Sequence, residues 1–305
     1  MENQKSEICD VIIIGSGPAG MEAALVLSRT RKKIIVIDAP TLPRNFSAQE
    51  VHNFLGLDGY PPNKIREISW QQINAYNHAK LVKETAIDID RNASNQFLVK
   101  TEEGKSYLSR NLLLAFGFID EYPNILGFMD CWGKTIIPCP FCDGYENKDR
   151  EWGIIKQTEA EILHFSKISQ NWTSQNKVFL NGKKISDEGR NILKERGTKY
   201  YEEKILKIHH ADGILHALTL ENEIQVDIES ILWTLPERPS PLIQKLVQNF
   251  QIELNEAGYL KIDSCKETSV KGIWAAGDIH GWSGAIQAAA AGEAAAVAMT
   301  HKWFH

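Results

Sequence analysis

The sequence predicts an α/β fold of Rossmann type, and three observations predict it. The run Val11 to Ile14 is short, wholly apolar and rich in β-branched residues, and it leads into GSGPAG, a helical stretch MEAALVLSRTR and a second apolar run, KKIIVIDA. Near the C terminus the device recurs: IWAAGDI, Ile273 to Ile279, carries an apolar strand into Gly277 and Asp278, followed by a helix of small residues. Between them, WGII, NKVFLNG, EKILKIHHADG, ILHALTLENE and SILWTL read as strands separated by turn signals.

Size and charge set the outer bounds. A chain of 305 residues, 43% hydrophobic, buries at least one full core and is long enough for two domains. A formal charge of -5, with no stripe of Lys and Arg interleaved with aromatics, argues against nucleic acid as a partner. The opening MENQKSEICD has no apolar core of a signal peptide, and the longest apolar stretch, Gly284 to Met299, is mostly alanine broken by Gln287 and Glu293. Neither secretion nor a membrane span is expected. Five cysteines are too few for a disulfide scaffold, and their odd number fits a reducing compartment, so the cytoplasm is the expected location.

Each residue of the first turn has a physical task. Gly15 permits a tight turn, Gly17 lets the backbone approach a pyrophosphate, and Gly20 lets the helix pack closely on the strand. The helix that starts at Pro18 and Ala19 points its free N–H groups at the phosphates. Asp38 falls about 20 residues after the turn, where a carboxylate accepts from a ribose 2′-hydroxyl. A 2′-phosphate is repelled there, so FAD or NAD is expected rather than NADP.

GSGPAG, the AFG at Ala115 to Gly117, CPFCDG in the middle and AAGDI near the end, in this order and spacing, resemble the low-molecular-weight thioredoxin reductase family of FAD-dependent disulfide oxidoreductases. The resemblance covers essentially the whole chain. It implies two Rossmann-like three-layer domains: an FAD domain split into residues 1–118 and 240–305, and an inserted, degenerate NAD(P)-type domain at 119–239 that carries the CxxC. It also implies that Gly15, Gly17, Pro18, Ala19, Gly20 and Asp38 hold the FAD pyrophosphate and adenosine ribose. By the same resemblance Ala115, Gly117, Gly277, Asp278 and Ala285 line the flavin side, Cys139 and Cys142 form the redox disulfide, and Asp143 is the neighbouring acid. A homodimer is expected on the same ground.

The chemistry of PCPFCDGYE agrees with that assignment. A reversible dithiol needs two sulfurs within bonding reach, one of them with a lowered pKa, and a CxxC in a turn entering a helix supplies both. Asp143, directly behind Cys142, can give and take the proton that the leaving thiolate requires. A zinc site needs two further ligands at suitable spacing; no second CxxC or paired histidine motif exists, and His209 and His210 are adjacent, so no metal is expected. Cys9, Cys131 and Cys265 read as small buried hydrophobes.

The inserted segment departs from the family. Where a second glycine-rich turn and a basic HRR-type cluster read NADPH in the usual enzyme, this chain has GIIKQTEAEI. Side chains at Lys156 and Thr158 keep backbone away from a pyrophosphate, and Glu159 and Glu161 put negative charge in its place. Lys183 and Lys184 in the next turn read as solvated. The expected activity is therefore transfer of two electrons between FAD and the Cys139–Cys142 pair without NADPH. The substrate is a thioredoxin-like protein or a small dithiol, and ferredoxin, a second flavin or O2 is the other electron partner. A conventional NADPH-dependent reductase with an aberrant turn, and a flavin-binding interaction protein without turnover, are the competing readings.

Three segments complete the sequence. Arg44 to Pro62 is a loop expected to pass the flavin; its NFLG and LDG resemble a branch that includes oxidases of small natural-product dithiols, and His52 on it is a candidate base. REISWQQINAYNHAKLV reads as an amphipathic helix with Trp70 and Tyr76 toward the core. SGA, Ser283 to Ala285, replaces the family's RQA before the last helix, and Trp303 and Phe304 are expected to pack on the domain surface, with stacking on the flavin as the sharper alternative.

Overall fold

A computed structural model describes residues 8–303. The apolar run forms β1 (Cys9–Ile14), followed by α1 (Pro18–Arg29), β2 (Ile34–Asp38), α2 (Pro62–Asn74), β3 (Ala79–Lys83), β4 (Ala86–Arg91), β5 (Phe97–Thr101) and β6 (Ser106–Leu114). The middle of the chain contributes β7 (Ile119–Asp120), α3 (Phe128–Cys131), β8 (Ile136–Ile137), α4 (Pro140–Asp143), β9 (Trp152–Ile155), α5 (Glu159–Ile168), β10 (Asn176–Phe179), α6 (Asp187–Glu195) and β11 (Lys199–Tyr201). After them come β12 (Ile205–Ala211), β13 (Ile214–Leu220), β14 (Gln225–Asp227), β15 (Ser230–Trp233), β16 (Glu237–Arg238), α7 (Pro241–Phe250), β17 (Ile273–Ala275) and α8 (Ala285–Lys302).

The first sheet runs β3-β2-β1-β6-β5-β4. Its central strand β6 is long enough to use one edge twice: its first half pairs antiparallel with β5, and Leu112 to Leu114 pair parallel with β17. The last strand of the chain thereby enters the same sheet as the first. Alternate residues of β1 face opposite sides, as a strand's period of two requires. Val11 and Ile13 join Ala23 and Leu27 of α1 and Ala295 and Met299 of α8 in one core, whereas Ile12 and Ile14 join Leu242 and Leu246 of α7 in another. That is a three-layer arrangement with both faces covered, which explains why β1 has no polar alternation.

The second sheet is β11-β10-β9-β15-β8, all parallel, with the antiparallel meander β12-β13-β14 beside it. Phe128, Trp132, Phe179 and Trp233 fill its core on the meander side. The chain passes between the sheets twice, as β7 and β16, and these two crossings pair antiparallel with Asp120 opposite Glu237.

Several local expectations are corrected. The helix read through NHAKLV ends at Asn74; Asn77 turns at φ +54°, and the next residues become β3. Tyr76 is consequently exposed rather than in the core, whereas Trp70 is half-buried against it. Cys9 and Cys131 are buried as expected, but Cys265 is exposed in a turn after Asp263. Trp303 packs on its own domain with the Lys32 ammonium 4.6 Å from its ring centre, at the end of the sheet away from the glycine turn, so it does not stack on the flavin of its own chain. Phe304 lies outside the described residues.

α8 reaches α1 through backbone. A Cβ on Gly292 would lie 2.0 Å from the Ala19 carbonyl oxygen, so only glycine allows this crossing next to the first turn. Gly292→Ala is expected to lower stability by about 1–3 kcal/mol through overpacking and to loosen the first turn. Urea denaturation checks this, and an unchanged midpoint contradicts it.

Candidate active site

The carboxyl ends of β1, β6 and β17 converge. Gly15 N–H donates to Ile37 O at 2.8 Å, Ala115 N–H to Ile14 O at 2.8 Å and Ala276 N–H to Leu114 O at 3.0 Å, so three glycine-bearing turns leave one edge of one sheet. Gly15 adopts φ +99°, and a Cβ there would lie 2.4 Å from Ala115 O, so both its conformation and its surroundings demand glycine. A Cβ on Gly20 would lie 2.0 Å from Gly15 O. Gly17 differs: a Cβ on it would meet nothing within 4 Å. Its smallness serves no contact inside the protein, which is what a turn facing a pyrophosphate requires. No side chain caps α1 and no acid sits in its first turn, so its N–H groups remain for an anion. These features fit FAD. Pro18 and Ala19 begin α1, with Gly277 against Ala19, Gly117 against Asp278, and Ala285 opening α8 on the same edge.

Asp38 is more heavily engaged than its sequence position suggests. Its carboxylate accepts from Ser16 N–H at 2.9 Å, from Arg66 at 2.9 Å and from Lys83 at 2.6 Å. Burial pushes its pKa up, but Lys83, Ser16 and Arg66 outweigh that and hold it below its ordinary value. A carboxylate has about four acceptor positions, so one remains for a ribose hydroxyl. The expected repulsion of a 2′-phosphate is corrected, because Arg66 and Lys83 offset the charge of Asp38 there.

At the β17 side of this edge, Arg44 joins three carboxylates. It donates to Asp120 of β7 at 2.9 and 2.5 Å, to Glu237 of β16 at 2.8 Å and to Asp278 at 3.1 Å. Tyr259 donates its hydroxyl to Glu237. Asp278 also accepts from Ser283 N–H at 3.1 Å and from its hydroxyl at 2.8 Å, so SGA ties the start of α8 to the acid. One guanidinium cannot satisfy three acids. Burial and the neighbouring Glu237 and Asp278 push the Asp120 pKa up despite Arg44, while the same acids push that of Arg44 up despite burial.

The thiol pair stands on α4, whose first turn is stiffened by Pro140. Cys139 is buried and Cys142 half-buried, both as free thiols. The Cys142 thiol donates to Cys139, and the backbone N–H groups of Cys142 and Phe141 also favour a thiolate there; against the cost of burial, these bring Cys139 down to about 7. Cys142 is pushed up by the same bond, by burial and by the charges of Cys139 and Asp143. The two therefore titrate as a pair, with the first proton leaving near neutrality. Asp143 is pushed up to about 7, chiefly by burial and then by Cys139 and Glu146, with His52 pulling it down. It can exchange a proton near neutral pH. Asn147, buried, fixes the end of α4 by donating to Asp143 O at 3.0 Å, and Phe141 packs edge-on against Trp172 at 5.4 Å.

The loop between Arg44 and Pro62 brings the two sheets together at this turn. Asn53, at φ +59°, donates its side-chain amide to the Phe141 carbonyl. His52 lies 3.3 Å from Glu50, 3.4 Å from Asp58 and 3.5 Å from Glu146. The structure thus places His52 against Glu146, within electrostatic reach of Asp143. Sequence reasoning missed Arg44, Asn53 and Arg66. Their partners lie between 28 and 234 residues away, and no local pattern marks such contacts.

The turn after β9 is folded onto itself. Thr158 caps α5 in a full capping box with Glu161, accepting Glu161 N–H at 3.3 Å while Glu161 accepts Thr158 N–H at 2.9 Å. Glu159 accepts from Ser186 N–H at 2.9 Å and from its hydroxyl. Lys183 is exposed, as read, and also donates to Gln157 O at 2.9 Å and to its Oε1 at 3.0 Å.

A sheet with three glycine turns at one edge, and a CxxC helix held against its loop by a second α/β sheet, define an FAD-dependent disulfide oxidoreductase. The chain matches the pyridine nucleotide-disulphide oxidoreductase family over residues 9–296 and belongs to it. It is 29% identical to thioredoxin reductase sirT of Leptosphaeria maculans over 285 residues, covering 89% of this chain and 86% of that one. Among solved structures, the thioredoxin reductase TrxB of Bacillus anthracis superposes with a TM-score of 0.90 at 30% identity, covering 97% of this chain and 98% of that one. The protein HlmI superposes at 0.88 with 27% identity, covering 97% and 93%. The chain is a thioredoxin-reductase-like flavoprotein with FAD as its cofactor.

The raised pKa of Asp143 makes stability depend on pH. Between about 4 and 7 the folded state keeps the Asp143 proton that the unfolded chain has lost, so this group's contribution falls as pH rises through that window. Asp143→Asn removes the slope. The difference in urea midpoint, variant minus wild type, is expected to grow from pH 4 to pH 7 and level off by pH 8, while dithiol turnover at pH 7 drops by roughly 10²-fold. A midpoint difference independent of pH contradicts the assignment.

Proposed function

We propose that the chain is a dithiol/disulfide oxidoreductase that passes two electrons between FAD and the Cys139–Cys142 pair and does not draw them from NADPH. One observation carries the second half of this reading: the capping box of Thr158 and Glu161 takes up two of the N–H groups at the N terminus of α5, and Glu159 and Glu161 put two carboxylates beside it, where a pyrophosphate would have to lie. The same edge of the first sheet keeps the N terminus of α1 uncapped.

When bound, FAD supplies a two-electron acceptor or donor for the thiol pair. The protein's own groups handle protons and position. In dithiol oxidation, a substrate thiolate attacks the enzyme disulfide and its second thiol closes the product disulfide, leaving Cys139 as thiolate and Cys142 as thiol. Asp143 takes and returns the Cys142 proton near neutral pH. Asn53 and Asn147 fix the CxxC turn from either side. The substrate is a thioredoxin-like protein, in keeping with the names of the relatives, or a small dithiol. Leu55, 92% exposed, together with Phe141 and Tyr145, offers an apolar rim beside the pair that suits either. Ferredoxin or O2 takes the place of NADPH, and the setting is the cytoplasm, with the protein acting as a homodimer.

Anaerobic titration of the holoprotein separates this reading from the NADPH-dependent one. Stoichiometric NADPH at micromolar concentration is expected to leave the flavin absorption unchanged. Bleaching within the mixing time overturns the proposal.

A further inference from the structure

Three residues stand in one row at the carboxyl ends of β8, β15 and β9. The register pairs Ile231 with Ile136 and Gly153, and Leu232 with Ile137 and Ile154. Continued past the strand ends, it sets Thr234 between Cys139 and Lys156, and Thr234 N–H still donates to Ile155 O at 3.2 Å. Two strand spacings, about 10 Å, therefore separate the backbones of Cys139 and Lys156, and a lysine directed along the row closes most of that gap.

Lys156 does turn inward. It is 3% exposed, its ammonium lies 3.8 Å from the Phe165 ring centre, and it donates to the Thr234 hydroxyl at 2.5 Å. Among the described residues no carboxylate lies within ion-pair distance of it; Glu161, which acts on it from α5, is tied into the helix cap. A buried ammonium with a hydroxyl and a ring face as its contacts lacks an anion, and burial pulls its pKa down to about 8. A space-filling role at this position is better met by Met or Leu.

We propose that Lys156 is the counter-charge of the Cys139 thiolate, and that it sets the thiolate fraction of the reduced pair and with it the pair's reduction potential. The charges around the pair are polarised. Lys156 acts on Cys139 from β9, whereas Asp143 acts on Cys142 from α4, with Glu146 and His52 facing Asp143 in turn. Oxidation of the reduced pair forms the Cys139–Cys142 bond, releases two electrons to FAD or to a substrate disulfide, and releases the single Cys142 proton to Asp143 or water. Lys156 loses its anion in that step. It thereby favours the reduced form. Lys156 is a positioning charge and need not touch substrate.

The test uses the FAD-loaded protein as wild type, Lys156→Met, Lys156→Gln and Lys156→Arg. Two readouts are taken: the pH midpoint of Cys139 alkylation by iodoacetamide in the reduced protein, mapped by mass spectrometry, and the dithiol–disulfide equilibrium in glutathione buffers. The uncharged variants are expected to raise the alkylation midpoint and shift the equilibrium about tenfold toward the disulfide, about 30 mV more negative, while Lys156→Arg stays with wild type. Equal midpoints and potentials in wild type and either uncharged variant overturn the proposal. Should the substitutions prevent folding, NMR of 13C-lysine protein reads the same coupling in wild type: the Lys156 pKa is expected to rise on reduction, and an identical value in both redox states overturns it. The inference rests on Cys139 and Cys142 being the redox pair; a wild-type pair that never equilibrates with glutathione defeats that reading, whereas equilibration without dependence on Lys156 defeats only this one.

Discussion

The placement of the thiol pair against the first sheet depends on Arg44. Its guanidinium holds Asp120 and Glu237, one on each strand by which the chain crosses between sheets, and it binds Asp278 at the edge where the three glycine turns converge. Removing one partner of a buried ion pair costs about 3–5 kcal/mol, and less at a guanidinium that is a third exposed. The cost is larger in consequence than in energy, because three acids would then share no cation. With Arg44 in place, the loop it begins can bring Asn53 to the Phe141 carbonyl and His52 to the neighbourhood of Asp143. Sheet geometry sets where each half of the site is, and this junction sets how they meet.

The chain uses the strand–turn–helix device twice with opposite outcomes. After β1, the turn is emptied of side chains and the helix N terminus is left without a cap, at the price of glycines that disfavour the helix. After β9, Thr158 and Glu161 complete the cap and Lys156 swings beneath it into the sheet edge. Two of the N–H groups at the start of α5 are thereby engaged by the chain's own side chains. The turn after β9 thus carries a buried ammonium held on the Thr234 hydroxyl, in the row that runs toward the CxxC.

Much of this was legible from residue order. The glycine turn after β1, with Gly15 at φ +99° and Gly20 packed on Gly15 O, and the strands β9, β10, β12, β13 and β15 follow from short-range sequence patterns. The expectations that failed depended on neighbours far away. Tyr76 keeps the helical period of Trp70 but falls past the point where Asn77 turns the chain. Cys265 has the composition of a buried residue in a segment that proves to be an exposed turn. Lys156 was readable as an obstacle to phosphate because that is a local fact; its partnership with Thr234 and Cys139 needs the pairing of β8, β15 and β9. Asp38 was correctly placed at the end of β2, yet Arg66 and Lys83 change its charge balance from other elements.

The central claim is that electrons move between a dithiol and the flavin only by way of Cys139 and Cys142. Anaerobic addition of dithiothreitol to the holoprotein, with the visible flavin band recorded over seconds, tests it most directly against a variant carrying Cys139→Ser and Cys142→Ser that retains its FAD. The account predicts loss of the band in wild type and a persistent band in the variant. Equal bleaching of the two would contradict it.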